Sequence, residues 1–421
     1  MKHHKNVEWK RLDNAAKIFP PTSNEKDTKV FRFALELYEE VDPIILQEAL
    51  DKTMENFPFF SVILRRGIFW YYFEKTNERP LIEQERNTVC APIFNKDDKN
   101  LLFRVFYYHK RISLEMHHSL SDGTGALWFL KTLIYYYLIK KHKDSFGASN
   151  PKKPYYASIT EKVDDSFLKY YSGKKITRYS RSTRAHRISG SRKEDNRMIL
   201  IEGSMSVKET IKEAHKYNTT LTGFLASIFL FSIYKEMSVR ERKRPVVLSI
   251  PVNLRQFFES ESARNFFATI RVNHLFDHEV NDIEKVVESV NQGLKDQLTA
   301  EKLNEQMNQF VSFERTSFIK VIPLPLKDFV LRMVDRYNEK GITAALSNIG
   351  RIDLPEEFSP YINQFTVCTS ARRPQLSVCS YKDNLTLSFT SPFLDTEIQR
   401  NFFEFLSEKG IDINIASNID E

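Results

Sequence analysis

Helical and strand patterns of apolar residues alternate through the first half of the chain. Five apolar residues recur at the spacing of one helix face after the candidate N-cap Asp42: Ile45, Leu46, Ala49, Leu50 and Met54. We therefore predict a helix over residues 42–56. Paired strands are predicted over 60–64 and 68–73 and again over 102–109 and 112–118, each pair around a short turn. A long apolar helix over 124–140 follows the second pair.

The second half repeats this mixture of helices and strands. Ser206 and Glu209 form a capping box that begins a helix through His215, and a more apolar helix follows over 220–236. Further strands are predicted over 245–254, 266–274, 343–348, 375–381 and 385–389, and a last helix over 395–408. The pattern predicts two α/β lobes, over residues 1–170 and 199–421, joined by a basic linker over 171–198.

The composition is typical of a folded protein with a large core. Of 421 residues, 41% are hydrophobic, and 33 Phe and 18 Tyr are too many for a chain that buries nothing. Cys90, Cys368 and Cys379 form no C-x-x-C pair, so neither a disulfide framework nor a cysteine zinc site is expected. The first residues contain no apolar signal sequence, and no uncharged run is apolar enough to span a membrane. We therefore expect a cytoplasmic protein without a transmembrane segment.

The net charge of +7 is concentrated in the linker. Between residues 173 and 197 only Glu194 and Asp195 oppose nine basic residues. The nine are Lys174, Lys175, Arg178, Arg181, Arg184, Arg187, Arg192, Lys193 and Arg197. A solvated connector and a docking surface for a polyanion both remain open. No zinc-finger spacing or RNP-like motif accompanies the charges, so no nucleic-acid partner is expected.

Residues 112–125, with the sequence ISLEMHHSLSDGTG, contain two adjacent histidines. Side chains alternate along a strand, so His118 ends a face of apolar residues whereas His117 shares the opposite face with Ser113 and Glu115. Neighbours on a strand cannot readily point at one metal ion, and no third ligand stands at a zinc-like spacing. No metal is therefore expected. A structural histidine is the alternative to a functional one.

The string H-H-x-x-x-D-G at residues 117–123 resembles the signature of the CoA-dependent acyltransferase superfamily, which includes chloramphenicol acetyltransferase and the condensation domains of peptide synthetases. Residues 250–255, IPVNLR, look like the family's P-V-D-L-R strand, with Asn253 where Asp is common. Residues 345–350, ALSNIG, look like the S-N-L-G segment of the alcohol acetyltransferase-like branch. The resemblance implies two chloramphenicol-acetyltransferase-like lobes with mixed sheets and an active-site tunnel at their interface.

The resemblance also implies a mechanism. A thioester is already an activated acyl group, so neither a metal nor a covalent enzyme intermediate is required. His118 matches the second motif histidine and would take the proton of an attacking hydroxyl or amine as general base. Ser347 and Asn348 are candidates for the donors that stabilise the tetrahedral oxyanion.

Other motif residues have structural roles by the same resemblance. Asp122 would pair with Arg255 and tie the histidine turn of one lobe to a strand of the other. Gly123 would allow close backbone approach at the start of the following helix. His117 would complete the motif without touching the reacting atoms.

The expected function is transfer of an acyl group, with acetyl preferred, from acyl-CoA to a small alcohol or amine. Acyl-CoA would be a donor substrate, so no tightly bound cofactor is expected. Two alternatives remain open. One is a non-catalytic relative that serves as a binding or scaffold protein. The other is an enzyme that takes its acyl group from the phosphopantetheine of a carrier protein.

Overall fold

A computed structural model describes residues 9–95, 99–146, 151–155, 164–173, 184–276, 282–315 and 321–419. In this part of the chain, strands and helices alternate through both halves of the sequence, and the strands form mixed sheets. The predicted α/β fold class is therefore confirmed.

The secondary structure has the following bounds. The strands are β1 Trp9–Arg11, β2 Val30–Leu37, β3 Val62–Arg66, β4 Tyr71–Lys75, β5 Ile82–Gln84, β6 Phe103–Tyr108, β7 Arg111–His117, β8 Ile199–Ser206, β9 Val246–Asn253, β10 Phe267–His274, β11 Ala344–Arg351, β12 Ile362–Thr369, β13 Gln375–Tyr381, β14 Asn384–Ser391 and β15 Asn414–Ser417. The helices are α1 Phe19–Thr22, α2 Pro43–Asn56, α3 Gly123–Lys141, α4 Lys143–Phe146, α5 Ser166–Lys169, α6 Val207–Lys216, α7 Leu221–Lys235, α8 Ile283–Gln297, α9 Ala300–Arg315, α10 Leu324–Glu339 and α11 Glu397–Glu408.

Three sheets form the framework. The order of the five-stranded sheet is β12-β2-β7-β6-β5, and that of the seven-stranded sheet is β10-β9-β11-β13-β14-β8-β15. A small sheet has the order β1-β4-β3. Strand β12 follows the basic linker in sequence, yet it pairs antiparallel with β2 and completes the five-stranded sheet. The two-lobe boundaries at residues 170 and 198 stay a prediction, and the two halves of the sequence share this sheet.

Two large hydrophobic cores correspond to the two larger sheets. Helix α3 supplies the centre of one core with Phe129, Leu130 and Leu133, none of which is exposed. Helix α7 has the same position in the other core, which also contains β9, β10 and α8. Both helices are apolar on all sides, as expected of helices that are buried between a sheet and other helices.

Local sequence signals set several element ends. The Asp42 carboxylate accepts hydrogen bonds from the backbone amides of Ile44 and Ile45 and so begins α2 at the predicted position. Ser206 caps α6 through a 3.2 Å hydrogen bond from the Glu209 amide. The strand pairs β3–β4 and β6–β7 are antiparallel, as predicted, with ends shifted by up to three residues. Strands β2 and β12 and helices α8, α9 and α10 were not predicted.

Part of the basic linker lies outside the described residues, namely Lys174, Lys175, Arg178 and Arg181. In the ranges given above, no helix combines the length and the apolar character needed to cross a bilayer.

Candidate active site

The site is built at the turn where β7 leaves the centre of the five-stranded sheet. Strand β7 lies between β2 and β6, and its last residue, His117, is opposite Val30. The amide of His118 donates to the carbonyl of Lys29 at 2.8 Å, so the backbone stays bound to β2 for one more residue. The chain then turns, and Leu120 N donates to the His117 carbonyl at 2.9 Å. Both histidines are therefore fixed through their backbones.

His117 is a fully buried residue. Its Nδ1 accepts a 3.2 Å hydrogen bond from the Ser119 amide, and its Nε2 is buried without a partner among the described residues. Burial lowers the pKa of His117 to about 3, and the neighbouring His118 and Lys29 lower it as well. His117 is thus a neutral, structural residue at physiological pH.

His118 lies just beyond the end of β7, among aromatic rings. Its ring stacks on Phe19 with centroids 4.8 Å apart, and the rings of Phe31 and Phe267 are 4.6 and 6.2 Å away. The residue is partly exposed, although Nδ1 is buried without a hydrogen-bond partner in the described structure. His118 is therefore less buried than His117, although its ring is packed among aromatic side chains.

The surroundings of His118 keep its ring neutral. Burial among the aromatic rings lowers the pKa of His118 to about 4; the carboxylate of Asp122 opposes this shift, and the charge of Lys29 adds to it. A neutral imidazole can accept a proton, and the pKa of about 4 means that almost every molecule holds this form at pH 7.

Asp122 joins three segments of backbone with one carboxylate. Its Oδ1 accepts from the amide of Gly125 at 3.0 Å and so caps the N-terminus of α3. Its Oδ2 accepts from the amide of Phe266 at 2.8 Å and from Arg255 Nη1 at 2.7 Å. The histidine turn is thereby bound to the segment that precedes β10.

Arg255 is the cation of this buried pair. The side chains of Arg255 and Asp122 are only 6% and 8% exposed. The guanidinium also donates to the carbonyls of Ser262 and Arg264, and it lies 5.4 Å from the centroid of the Trp128 ring. The structure thus brings Asp122 and Arg255 together, although they are far apart in sequence. The pair needs this many contacts because a buried charge without partners is costly.

The glycines of the motif allow close contacts. A Cβ at Gly125 would lie 2.1 Å from the carbonyl oxygen of Ala263, so no larger residue fits without moving the backbone. A Cβ at Gly123 would lie 3.2 Å from Cδ1 of Ile349. Gly123 therefore brings the start of α3 against the end of β11.

Strands β9 and β11 separate beside the contact between Gly123 and Ile349. They are parallel and pair only at Ala344 with Leu248 and at Ala345 with Ser249, although β9 continues to residue 253 and β11 to residue 351. The separated ends carry Asn253 on β9 and the predicted oxyanion candidates on β11. The expected active-site tunnel at the interface of the lobes stays a prediction.

The two oxyanion candidates differ in their contacts. Asn348 Nδ2 donates to Thr222 Oγ1 at 2.8 Å, and Asn348 Oδ1 accepts from the amide of Gly350 at 2.8 Å. The structure thus holds the Asn348 side chain between α7 and its own strand. Ser347 is partly exposed. Their roles remain predictions.

Two polar residues near His118 were not predicted. Asn265 Nδ2 donates to the backbone carbonyl of His118 at 3.0 Å and to Asp13 Oδ2 at 3.2 Å. Asp13 Oδ1 accepts from Ala16 N at 2.7 Å and so fixes the turn that leads to Phe19. One network therefore positions both the histidine and the ring stacked on it. The N-cap pattern at Asp13 is visible in the sequence, but its link to Asn265 requires the fold.

Three arginines, which we call the arginine cluster, include Arg271 on β10 of the seven-stranded sheet together with Arg187 and Arg373. Phe267 and Arg271 are four residues apart on β10 and share a face, at a separation of about 14 Å. Burial lowers the pKa of Arg373 to about 10, and the positive charges of Arg187 and Arg271 lower it as well. Arg373 also pairs with Glu339 and donates to the Ile342 carbonyl. Arg187 and Arg271 thus lie close enough to Arg373 for their charges to act on it, and the carboxylates of Asp27 and Asp335 act in the opposite direction.

The described residues contain no cluster of three or more His, Cys, Asp or Glu side chains that could hold a metal ion. The expectation of a metal-free site stays a prediction.

Comparison with known proteins supports the sequence resemblance. A family model described as alcohol acetyltransferase matches residues 148–380, more than half of the chain. This range includes Arg255, Ser347 and Asn348 and begins after the histidine turn. No curated protein matches the chain.

Solved structures show the same fold at low sequence identity. TRI101 of F. sporotrichioides, complexed with coenzyme A and T-2, has a TM-score of 0.61 and 12% identity, over 96% of this chain and 99% of that one. The trichothecene 15-O-acetyltransferase TRI3 of Fusarium sporotrichioides has a TM-score of 0.57 and 13% identity, over 95% and 94%. The first condensation domain of the CDA synthetase has a TM-score of 0.58 and 12% identity, over 94% and 93%. The predicted acyltransferase and condensation-domain fold is thereby confirmed.

Removal of the buried cation tests the role of the Asp122–Arg255 pair. We expect Arg255→Gln to lower the free energy of unfolding by roughly 3–5 kcal/mol, because the Asp122 carboxylate would stay buried without its charge partner. Urea denaturation followed by circular dichroism measures this change. Arg400→Gln, which removes an exposed surface pair, is the matched control and should leave the free energy of unfolding nearly unchanged. Equal effects of the two substitutions would contradict the structural role.

Acid should destabilise the protein through the two motif histidines. The folded-state pKa values of His117 and His118, about 3 and about 4, lie below the ordinary value of 6.5, so the unfolded chain binds more protons in between. Stability should therefore fall as pH drops below about 6.5, by up to about 1.4 kcal/mol per pH unit for each histidine. His117→Asn should reduce this slope in urea titrations from pH 7 to pH 4. An unchanged slope in His117→Asn would contradict the prediction.

Proposed function

The chain belongs to the alcohol acetyltransferase family, and on that premise we propose that it transfers an acetyl group from acetyl-CoA to the hydroxyl or amine of a small acceptor. The observation that supports this most is His118 itself, a partly exposed neutral imidazole fixed by its backbone where β9 and β11 separate. The proposal includes a cytoplasmic location. The three free, buried cysteines favour it, because thiols persist in a reducing compartment.

His118 acts as the general base in the proposed reaction. As the acceptor oxygen or nitrogen attacks the thioester carbonyl carbon, its proton passes to the imidazole and a tetrahedral oxyanion forms. The carbon–sulfur bond then breaks, the carbonyl re-forms, and the proton returns from the imidazolium to the leaving thiolate. Atoms and charge balance without another reactant, and the products are the acetylated acceptor and free CoA. Such a base contributes roughly 10²–10⁴-fold to the rate.

The oxyanion donor comes from β11 in this proposal. The Ser347 hydroxyl is the first candidate, because the Asn348 amide is already engaged by Thr222. The second Nδ2 hydrogen of Asn348 could still contribute a hydrogen bond. Donors placed before the reaction stabilise charge as it develops.

The arginine cluster of Arg187, Arg271 and Arg373 binds the phosphates of CoA in this proposal. The separation of about 14 Å between Phe267 and Arg271 along β10 is of the same order as the extended pantetheine arm. A donor whose thioester reaches His118 would therefore bring its phosphates close to the cluster. Guanidinium groups suit this task because they bind phosphate oxygens in pairs.

Loss of the imidazole should remove the proposed base. We expect His118→Ala to lower kcat/KM roughly 10²–10⁴-fold, measured as free thiol release from acetyl-CoA with a panel of alcohols and amines. His215→Ala, at an exposed position on α6, is the control and should retain full activity. If the wild type turns over and His118→Ala is equally active, the proposal is wrong. Tight CoA binding without turnover of any acceptor would instead favour the non-catalytic alternative.

Loss of one arginine should weaken binding of the phosphates alone. We expect Arg271→Gln to raise the KM for acetyl-CoA roughly tenfold or more, because a hydrogen bond to a charged group is lost. The rate with acetyl-pantetheine, which lacks the nucleotide, should not change. Arg240→Gln, at an exposed position, is the control. Equal loss with both donors would show that Arg271 does not bind the phosphates.

The identity of the acyl donor has its own test. Turnover with an acylated carrier protein but not with acetyl-CoA would assign the donor to the carrier.

A further inference from the structure

Helix α10 exposes an apolar face. Six large residues at helical spacing point to solvent, and each is at least 40% exposed: Leu326, Phe329, Val330, Met333, Val334 and Tyr337. The spacing of three or four residues makes them one continuous stripe along the helix. A stripe of this kind normally faces a protein core, so its exposure marks an interaction site.

The polar face of α10 holds the helix to the protein. Lys327 Nζ donates to the carbonyl of Phe69 at 2.9 Å and lies 3.4 Å from the centroid of the Trp70 ring. Asp328 accepts from the Tyr71 hydroxyl at 3.0 Å, and both Lys327 and Asp328 are buried. An ordinary surface helix buries its apolar face and exposes its polar face. Helix α10 does the opposite.

Ion pairs fix the C-terminal half in the same orientation. Asp335 pairs with Arg372 at 2.7 Å, and Glu339 pairs with Arg373. With anchors at both ends, the helix cannot roll its apolar stripe inward without breaking buried polar contacts. The outward orientation is therefore a stable property of the fold.

A row of positive charge borders the stripe. Arg332, Arg336 and Lys340 are exposed and four residues apart, so they lie along one edge of the apolar face. Every exposed charged residue between 321 and 341 is basic, because the acidic residues there are buried or paired. The surface therefore combines an apolar stripe with a purely cationic border.

The apolar surface continues beyond the helix. Val321 precedes it and is exposed, and the amide of Leu324 donates to the carbonyl of Ile68 at 2.8 Å. Ile68 and Phe69, in the turn between β3 and β4, are also exposed. Two separate segments of the chain thus contribute to one apolar surface.

We propose that α10 binds to the surface of an anionic lipid bilayer, with its axis parallel to the membrane plane and its apolar stripe among the acyl chains. An amphipathic helix with aromatic and aliphatic residues on one side and cations beside them suits this interface. Anionic headgroups would meet Arg332, Arg336 and Lys340. A second copy of the chain in an antiparallel two-fold interface fits less well, because this arrangement would bring the two cationic rows together. This docking does not involve His118 or the β11 donors; Arg373, which anchors α10 through Glu339, also belongs to the proposed phosphate cluster.

Vesicle flotation tests this docking with the full chain. We expect binding to vesicles of phosphatidylcholine with phosphatidylglycerol and much weaker binding to phosphatidylcholine alone. The double variant Phe329→Ser/Met333→Ser should lower the partition coefficient roughly a hundredfold, because two apolar side chains no longer enter the bilayer. Arg332→Gln/Arg336→Gln should lower it roughly tenfold or more, and only with the anionic vesicles.

Matched controls distinguish membrane binding through α10 from non-specific binding through other exposed apolar or basic residues. Ile44→Ser/Leu81→Ser removes two apolar residues that are at least as exposed, on other elements, and should leave binding unchanged. Lys208→Gln/Lys212→Gln removes two exposed cations four residues apart on α6 and should also leave it unchanged. The proposal is overturned if the wild type does not bind the anionic vesicles, or if the control variants lose binding as much as the α10 variants. It is also overturned if the α10 variants convert a dimer to a monomer in light scattering while vesicle binding is unaffected.

Discussion

The buried ion pair between Asp122 and Arg255 is the constraint on which the geometry of the site depends. One carboxylate caps α3, accepts the amide of Phe266 and binds the guanidinium that follows β9. The histidine turn therefore cannot move independently of the seven-stranded sheet. Both charged groups lose their hydration when they are buried. The pair is therefore stable only while these hydrogen bonds and the ion pair replace the lost water. Asp122, four residues after His118, therefore ties the histidine turn to Arg255.

The second constraint is the aromatic environment of His118. The rings of Phe19, Phe31 and Phe267 remove water from the imidazole and lower its pKa, whereas the backbone bonds of His118 and Asn265 fix its position. Desolvation keeps the ring neutral at physiological pH, and it also makes the ring a weaker base. Proton transfer within a prearranged contact does not need a high pKa, because the acceptor's proton moves as the new bond forms.

The elements and the motif that follow local rules could be predicted from the sequence. Helix α2 follows from Asp42 and its apolar period, and the separate faces of His117 and His118 follow from strand alternation. Strand β2 was missed although Phe31, Phe33, Leu35 and Leu37 give it one fully apolar face, and its other face buries Arg32 against Glu115. Helix α10 was missed although its apolar residues recur at helical spacing; the sequence pattern does not show that this face is exposed and the polar one buried. The links between Asp13, Asn265 and His118, and between β12 and β2, join residues far apart in sequence and could not be derived from local patterns.

In the proposed reaction, the CoA thioester lies at the His118 imidazole and the CoA phosphates lie beside the arginine cluster, about 14 Å farther along β10. A crystal structure with CoA bound measures this directly. We predict that the CoA sulfur lies within reach of the His118 ring, beside the separated ends of β9 and β11, with phosphate oxygens bound to Arg271 or Arg373. CoA bound elsewhere, with its sulfur far from His118 and no passage leading to that ring, would contradict the account.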